Sequence, residues 1–265
     1  MVPDFCNDAR HTAMRQQTST HIIVGASSGI GRSLALALAR ERKHIALVGR
    51  SEERLTRVAR EVEMFGGTPL VAVSDVRDPV SIQAALAQII LRGQRIELAV
   101  LSSGLGLATD TEDFTVDTLD EMLQTNVLGA ARWLEALQPL LRAQPDWATV
   151  AVISSLAADR AIPGQSAGYS ASKAAVSHLC DGLRAPWARQ GIQLTCVAPG
   201  FVRSPMTDGM GWLPFLMEPE DAAGVILNRL RRGDPVIRFP RISSLFMAAI
   251  RLLPPRGLDL LYRDG

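Results

Sequence analysis

Val24-Gly25-Ala26-Ser27-Ser28-Gly29-Ile30-Gly31 lies between an apolar run, residues 21–24, and a stretch where Ile30, Leu34, Ala37 and Leu38 recur at helical spacing. Glycine at such a junction lets the main chain turn tightly and approach a ligand. A helix N-terminus offers free N–H groups and a positive dipole end to a pyrophosphate. A glycine-rich string by itself also marks ordinary turns. Its seat between strand and helix is what the binding mechanism requires, so the string reads as a nucleotide-binding turn.

Outward from that turn, strands and helices alternate. Residues 44–48, 70–73, 96–101, 149–153, 192–197 and 236–239 are further short apolar runs. Leu55, Val58, Ala59 and Val62 share one helical face. Asp78-Pro79 reads as an N-cap with proline at the first helical position, opening a helix with Ile82, Ala85, Leu86 and Ile89 inward. The strands are near-continuous rather than alternating, as expected where helices cover both sheet faces. The fold class is therefore α/β: a single doubly wound, Rossmann-type domain with a seven-stranded, mostly parallel sheet. Residues 1–20 are polar and aperiodic and read as a loose arm, residues 21–240 carry the domain, and residues 241–265 form an apolar and basic extension.

Composition agrees with one domain. A chain of 265 residues, 47% apolar and 21% charged, buries about three quarters of its unfolded surface. The net charge of +1 gives no field for a nucleic acid. Cys6, Cys180 and Cys196 are odd in number and lack ligand-like spacing, which points to a reduced, cytoplasmic protein. The scattered histidines make no metal motif, and His178, inside a helical stretch, reads as packed or half-buried. Neither a signal-peptide core nor a run of ~20 apolar residues is present.

In chain order come residues 25–31, Asp75-Val76 after the third strand, Asn126-Val127-Leu128-Gly129, Ser154-Ser155, Tyr169-Ser170-Ala171-Ser172-Lys173 and Pro199-Gly200. With these pieces, residues 21–240 resemble the short-chain dehydrogenase/reductase family. Two departures stand out. Val24 replaces the usual threonine before the first glycine, and Leu101-Ser102-Ser103-Gly104 replaces the usual Asn-Asn-Ala-Gly. Ser102 can still hydrogen-bond there, so weakened support for the cofactor site is expected rather than lost binding. Ser155 also lies one residue further from Tyr169 than usual, so the loop between should bulge.

Tyr169 and Lys173 are four apart, hence on one face of a helix. A phenol of pKa ~10 is only about a thousandth ionised at neutral pH. A neighbouring ammonium and an oxidised nicotinamide would favour the phenolate. Tyr169 can then exchange a proton with an alcohol or ketone oxygen while hydride moves at the nicotinamide. The resemblance further implies that Lys173 holds the nicotinamide ribose, Ser155 hydrogen-bonds the substrate oxygen, and Asn126 sustains a water relay. Taken singly, a Tyr–Lys pair or Ser154-Ser155 would be a surface pair or a turn. Together and in order they read as catalytic.

The resemblance implies an oxidoreductase using NADP(H) on a ketone or secondary alcohol. A nucleotide-binding sensor with a dead site is the rival reading, which intact Asn126, Ser155, Tyr169 and Lys173 argue against; a methyltransferase on a similar sheet would lack the Tyr–Lys pair. Arg50 ends the second strand where an NAD-specific protein usually has an acid, so NADPH is preferred over NAD, with Asp75 and Val76 near the adenine. Residues 201–217, with Met206, Met210, Trp212, Leu213, Phe215 and Leu216, read either as an apolar substrate lid, which suggests an apolar or lipid-like substrate, or as a packed surface loop or subunit contact. The resemblance implies a homodimer or homotetramer paired through helices at 118–141 and 169–188. The extension is too short to cross a bilayer. It either packs on a subunit or over the cleft, the favoured reading, or makes a peripheral membrane contact.

Overall fold

The protein, seen in a computed structural model, is described over residues 19–92, 94–110, 112–161 and 166–261. Most of the expected N-terminal arm, with Cys6, and the tail beyond 261 lie outside the described residues. The sheet contains β1 (Ser19–Val24), β2 (His44–Gly49), β3 (Thr68–Val73), β4 (Arg95–Leu101), β5 (Ala148–Ile153), β6 (Ile192–Pro199) and β7 (Val236–Phe239). Their order is β3-β2-β1-β4-β5-β6-β7, and every neighbouring pair is parallel. The sheet is thus wholly parallel where "mostly parallel" was expected, and β1 starts two residues earlier than the sequence reading placed it.

Along β1 the side chains alternate between two cores. Ile22 and Val24 pack with α3 (Pro79–Ile90), α5 (Gly129–Arg142) and α6 (Ala167–Ala188) on one face. Ile23 packs with α1 (Gly29–Arg40), α2 (Glu52–Met64) and α7 (Pro219–Arg231) on the other. Both faces are therefore apolar, which is why the strands lack polar alternation. The Asp78 side chain accepts from Val80 N at 2.9 Å with Pro79 at the first helical position, as the sequence predicts. Ile82, Ala85, Leu86 and Ile89 are buried.

Between Asp117 and Arg142 the helical run is not uniform. α4 (Asp117–Met122) passes into a π-helical turn, Leu123–Leu128, before α5. The wider turn contains Asn126, in keeping with the frequent use of π turns at functional sites. α8 (Arg241–Leu252) and α9 (Pro255–Leu261) follow β7.

The register pairs Val24 with both Val48 and Leu101, so β1 and β4 end level and β2 runs one residue further. Chain order reverses at β1, and the crevice beyond the strand ends at such a switch point is where parallel sheets bind ligands. The glycine turn leaves β1 there.

Candidate active site

Gly25 takes φ +85°, and its N–H donates to Val48 O at 2.8 Å. A Cβ on Gly25 would lie 2.7 Å from Ser103 N; one on Gly31 would overlap the carbonyl oxygen of Gly25. Only glycine fits either position, because the turn is pressed against the end of β4. Ser102 makes that contact firm. Its N–H and its hydroxyl both donate to Val24 O, at 2.9 and 2.6 Å. The substitution at Ser102 thus keeps a tie to β1, and because the acceptor is a main-chain carbonyl, the missing threonine at Val24 is not needed for it.

Ser155 follows β5, and its Oγ accepts from Ala157 N at 3.1 Å to start the one-turn 3-10 helix Leu156–Ala158. Its side chain also hydrogen-bonds the Tyr169 hydroxyl. Of the loop expected to bulge before Tyr169, residues 162–165 lie outside the described residues. Tyr169 stands in the first turn of α6, and Lys173 one turn on has Nζ 5.7 Å from the Tyr169 ring centroid. Lys173 is almost fully buried, and Nζ donates to Ile153 O at 2.9 Å.

Burial lowers the Lys173 pKa to about 8, with the Cys196 sulfur pulling the other way. Burial likewise pushes the Tyr169 phenol up, outweighing its Ser155 hydrogen bond. This corrects one expectation: within the chain alone the ammonium does not lower the phenol, because desolvation of a buried phenolate is the larger effect.

Asn126 is buried. Its Oδ1 accepts from Leu105 N at 2.7 Å, and its Nδ2 donates to Leu105 O at 2.8 Å and Ser172 Oγ at 2.9 Å. It therefore staples the loop after β4 to α6. A Cβ on Gly104 would lie 3.4 Å from Lys173 Nζ and 3.7 Å from Asn126 Oδ1, so both groups border one small space. Met206, within the expected lid, reaches the same wall, its sulfur 3.0 Å from a Cβ built on Gly106, with Tyr169 Cδ2 at 3.6 Å.

A family model described as short chain dehydrogenase matches residues 19–211. The chain belongs to that family. An uncharacterized oxidoreductase of Myxococcus xanthus is 34% identical over 236 residues, covering 89% of this chain and 92% of that protein. Oxidoreductase UcpA of Escherichia coli K12 is 31% identical over 220 residues, covering 83% and 81%. Among solved structures, a short-chain type dehydrogenase/reductase from Mycobacterium marinum superposes with TM-score 0.78 at 26% identity, covering 84% of this chain and 95% of that one. An actinorhodin polyketide ketoreductase solved with NADPH shares the fold, with TM-score 0.76 at 22% identity and coverage of 83% and 95%.

Short-chain dehydrogenases use a nicotinamide dinucleotide, and the cradle here fits one. The turn's glycines admit no side chain, Ser28 at the N-cap of α1 makes no side-chain hydrogen bond, and the first turn of α1 has no acid. Ser27 is half-buried beside it, and Ile30 packs into the α1 core. Gly29 faces the lid: a Cβ there would lie 3.3 Å from Ser204 Cβ. Arg50 is exposed beyond β2 and near enough to Asp75 to help lower its pKa, the larger cause being Arg77. Arg77 donates to the Asp75 carboxylate from N at 2.9 Å, Nε at 3.2 Å and Nη2 at 2.9 Å. Val76 wedges against Gly129 at the head of α5. Pro199 ends β6, and Gly200 N donates to Phe239 O at 2.7 Å.

The sequence reading gathered Asn126, Ser155, Tyr169 and Lys173, and the fold brings all four to one edge. It missed three supports of that edge. Ser154 Oγ donates to Lys173 O at 2.9 Å and shares a 2.7 Å hydrogen bond with Ser177 Oγ. Thr109 Oγ1 accepts from Gly168 N at 3.1 Å, just before Tyr169. Arg77 clamps Asp75. Only Arg77, two residues from Asp75, left a local signal; the other contacts join distant segments. His178, expected packed or half-buried, is exposed, because Lys173, Val176 and Cys180 take the inward face of α6.

Proposed function

We propose that this short-chain dehydrogenase transfers hydride between NADP(H) and a ketone or secondary alcohol of apolar or lipid-like character, with Tyr169 as acid/base. The observation that carries the reading is the half-buried Tyr169 with Ser155 as hydrogen-bond partner of its phenol and buried Lys173 one helical turn away. When bound, the nicotinamide supplies or accepts the hydride. Tyr169 gives a proton to the carbonyl oxygen in reduction and takes it back in oxidation. Ser155, already tied to the phenol, offers a second hydrogen bond to that oxygen.

Burial raises the phenol further above its ordinary pKa, so at neutral pH Tyr169 carries the proton that a carbonyl oxygen would take. Lys173, at about 8, restores the proton through the space it shares with Asn126, whose Oδ1 keeps one lone pair for a water. Lys173 also holds the nicotinamide ribose. Arg50 takes the 2′-phosphate of the preferred NADPH, and Asp75 and Val76 border the adenine. Met206 closes the apolar side of the cleft. The protein acts in the cytoplasm as a homodimer or homotetramer, paired through the π–α5 run and α6.

The test is a panel of apolar ketones with purified protein and NADPH, followed by loss of NADPH absorbance. Turnover that survives Tyr169→Phe, or none with any carbonyl while NADPH binds, would overturn the assignment.

A further inference from the structure

The apolar residues of α8 divide between two faces. Met247 and Ile250, with Leu258 of α9, pack on Leu156 and Ala198, the first of these directly following Ser155. This accounts for half of the extension's apolar character, over the edge of the cleft as the packing reading expects. The other half faces outward. Ile242, Leu245, Phe246 and Leu252 recur at helical spacing and form a stripe, with Leu245 72% and Leu252 85% exposed.

Residues 201–217 also carry exposed apolar groups. Met210 and Phe215 are half exposed, and Trp212 is 86% exposed. The two segments are anchored together, since a Cβ on Gly200, where the lid begins, would lie 3.2 Å from Pro240 Cδ and 3.5 Å from Ser243 Cβ of α8. Such a patch is uncommon on a free protein surface and marks a contact.

Charge says which kind. Arg241, Arg251 and Arg256 are exposed, α8 contains no acidic residue, and Asp259 is the acid of α9. Within residues 201–217 the acid is Asp208, while Arg203 is neutralised by Glu218 at 2.9 Å. Arg238 is held by Asp159 and stands apart from the patch. A second copy meeting this face through a two-fold axis would set arginines against arginines. An anionic bilayer meets both demands, taking the apolar stripe into the headgroup boundary and the guanidinium groups onto its phosphates. Tryptophan favours that boundary. The 12 residues of α8 span only ~18 Å, so the helix lies in the surface and does not cross it. Among the described residues no helix is long and apolar enough to cross.

We infer that the α8 stripe and the lid dock on an anionic lipid surface, turning the mouth of the cleft toward the bilayer. This deepens the apolar-substrate reading proposed above, because such a substrate then enters from the membrane; docking itself needs no turnover.

The experiment is flotation of the full chain with phosphatidylcholine vesicles, with and without phosphatidylglycerol. Binding is expected only to the anionic vesicles, weakening with salt. Arg241→Gln and Arg256→Gln should each lower vesicle affinity about five-fold. Leu245→Asp should abolish flotation while NADPH affinity, read by fluorescence, stays unchanged and reports an intact fold. Absence of flotation, or flotation unaltered in both arginine variants, overturns the inference. So does a Leu245→Asp chain that shifts from a larger to a smaller oligomer in sedimentation, which would assign the face to a second copy. None of these readouts depends on whether any carbonyl is reduced.

Discussion

Lys173 and Ile153 are joined by a hydrogen bond from Nζ to a main-chain carbonyl, 2.9 Å long, at the last residue of β5. Ser154, the next residue, returns the contact by donating to Lys173 O. The pair locks α6 to the strand end, and burial lowers the lysine pKa to about 8. Below that pH the folded chain carries a desolvated ammonium. Between pH 8 and the unfolded value near 10.5, the unfolded state holds the proton more firmly than the native state, so this group's penalty fades as pH rises. We predict that Lys173→Met differs from the parent by a pH-dependent amount. Relative to the variant, the parent should gain up to about 3 kcal/mol between pH 8 and 10.5. Urea midpoints of both proteins across that range check it, and a flat difference sinks it.

Tyr169, hydrogen-bonded with Ser155, is the proposed acid/base. Tyr169→Phe should lower turnover by about a hundredfold to ten-thousandfold, the usual worth of a positioned proton donor. NADPH affinity should change by no more than a few-fold. Lys173→Ala should damage both, since that residue is assigned to the ribose as well as to the proton.

Arg50 should set cofactor choice. Its charge reaches Asp75, whose carboxylate is already occupied by Arg77, so the guanidinium of Arg50 is left for a phosphate. In Arg50→Ala, NADPH affinity should fall by roughly tenfold or more, the worth of a hydrogen bond to a charged group, with NADH affinity nearly unchanged. Titration of both cofactors decides, and an unaltered ratio would remove Arg50 from the site.

Periodicity and punctuation made most of the framework legible. The Asp78-Pro79 start, the run of buried Ile82, Ala85, Leu86 and Ile89, and the junction at Gly25 each have a cause within a few residues. The π turn at Asn126 does not. Its residues continue a helical run without glycine or proline, and the wider turn goes with a side chain that reaches Leu105 and Ser172 at once. Ser154 and Thr109 were hidden for the same reason, since each bonds a main-chain group far away in sequence. At Tyr169 the spacing reports the neighbouring lysine and says nothing of the burial that raises the phenol in the chain alone.

His21 gives a last prediction. It sits within β1, 3% exposed, with Nδ1 lacking a hydrogen-bond partner and Nε2 3.8 Å from Glu97 Oε1. Burial lowers its pKa to about 4, the largest influence, although Glu97 favours the charged form. The native chain therefore keeps His21 neutral where the unfolded chain, near 6.5, takes up a proton. Stability is untouched above that value and is lost progressively as pH falls from 6.5 to 4, by a total on the order of 3 kcal/mol. His21→Leu removes the group and should flatten that part of the profile. Glu97 would still have Ser19 and Arg95 to hold it. Urea midpoints for both proteins between pH 4 and 7 should diverge from parallel only below about 6.5, the ordinary histidine value. Parallel curves throughout would show that His21 titrates in the folded protein as it does in the unfolded one.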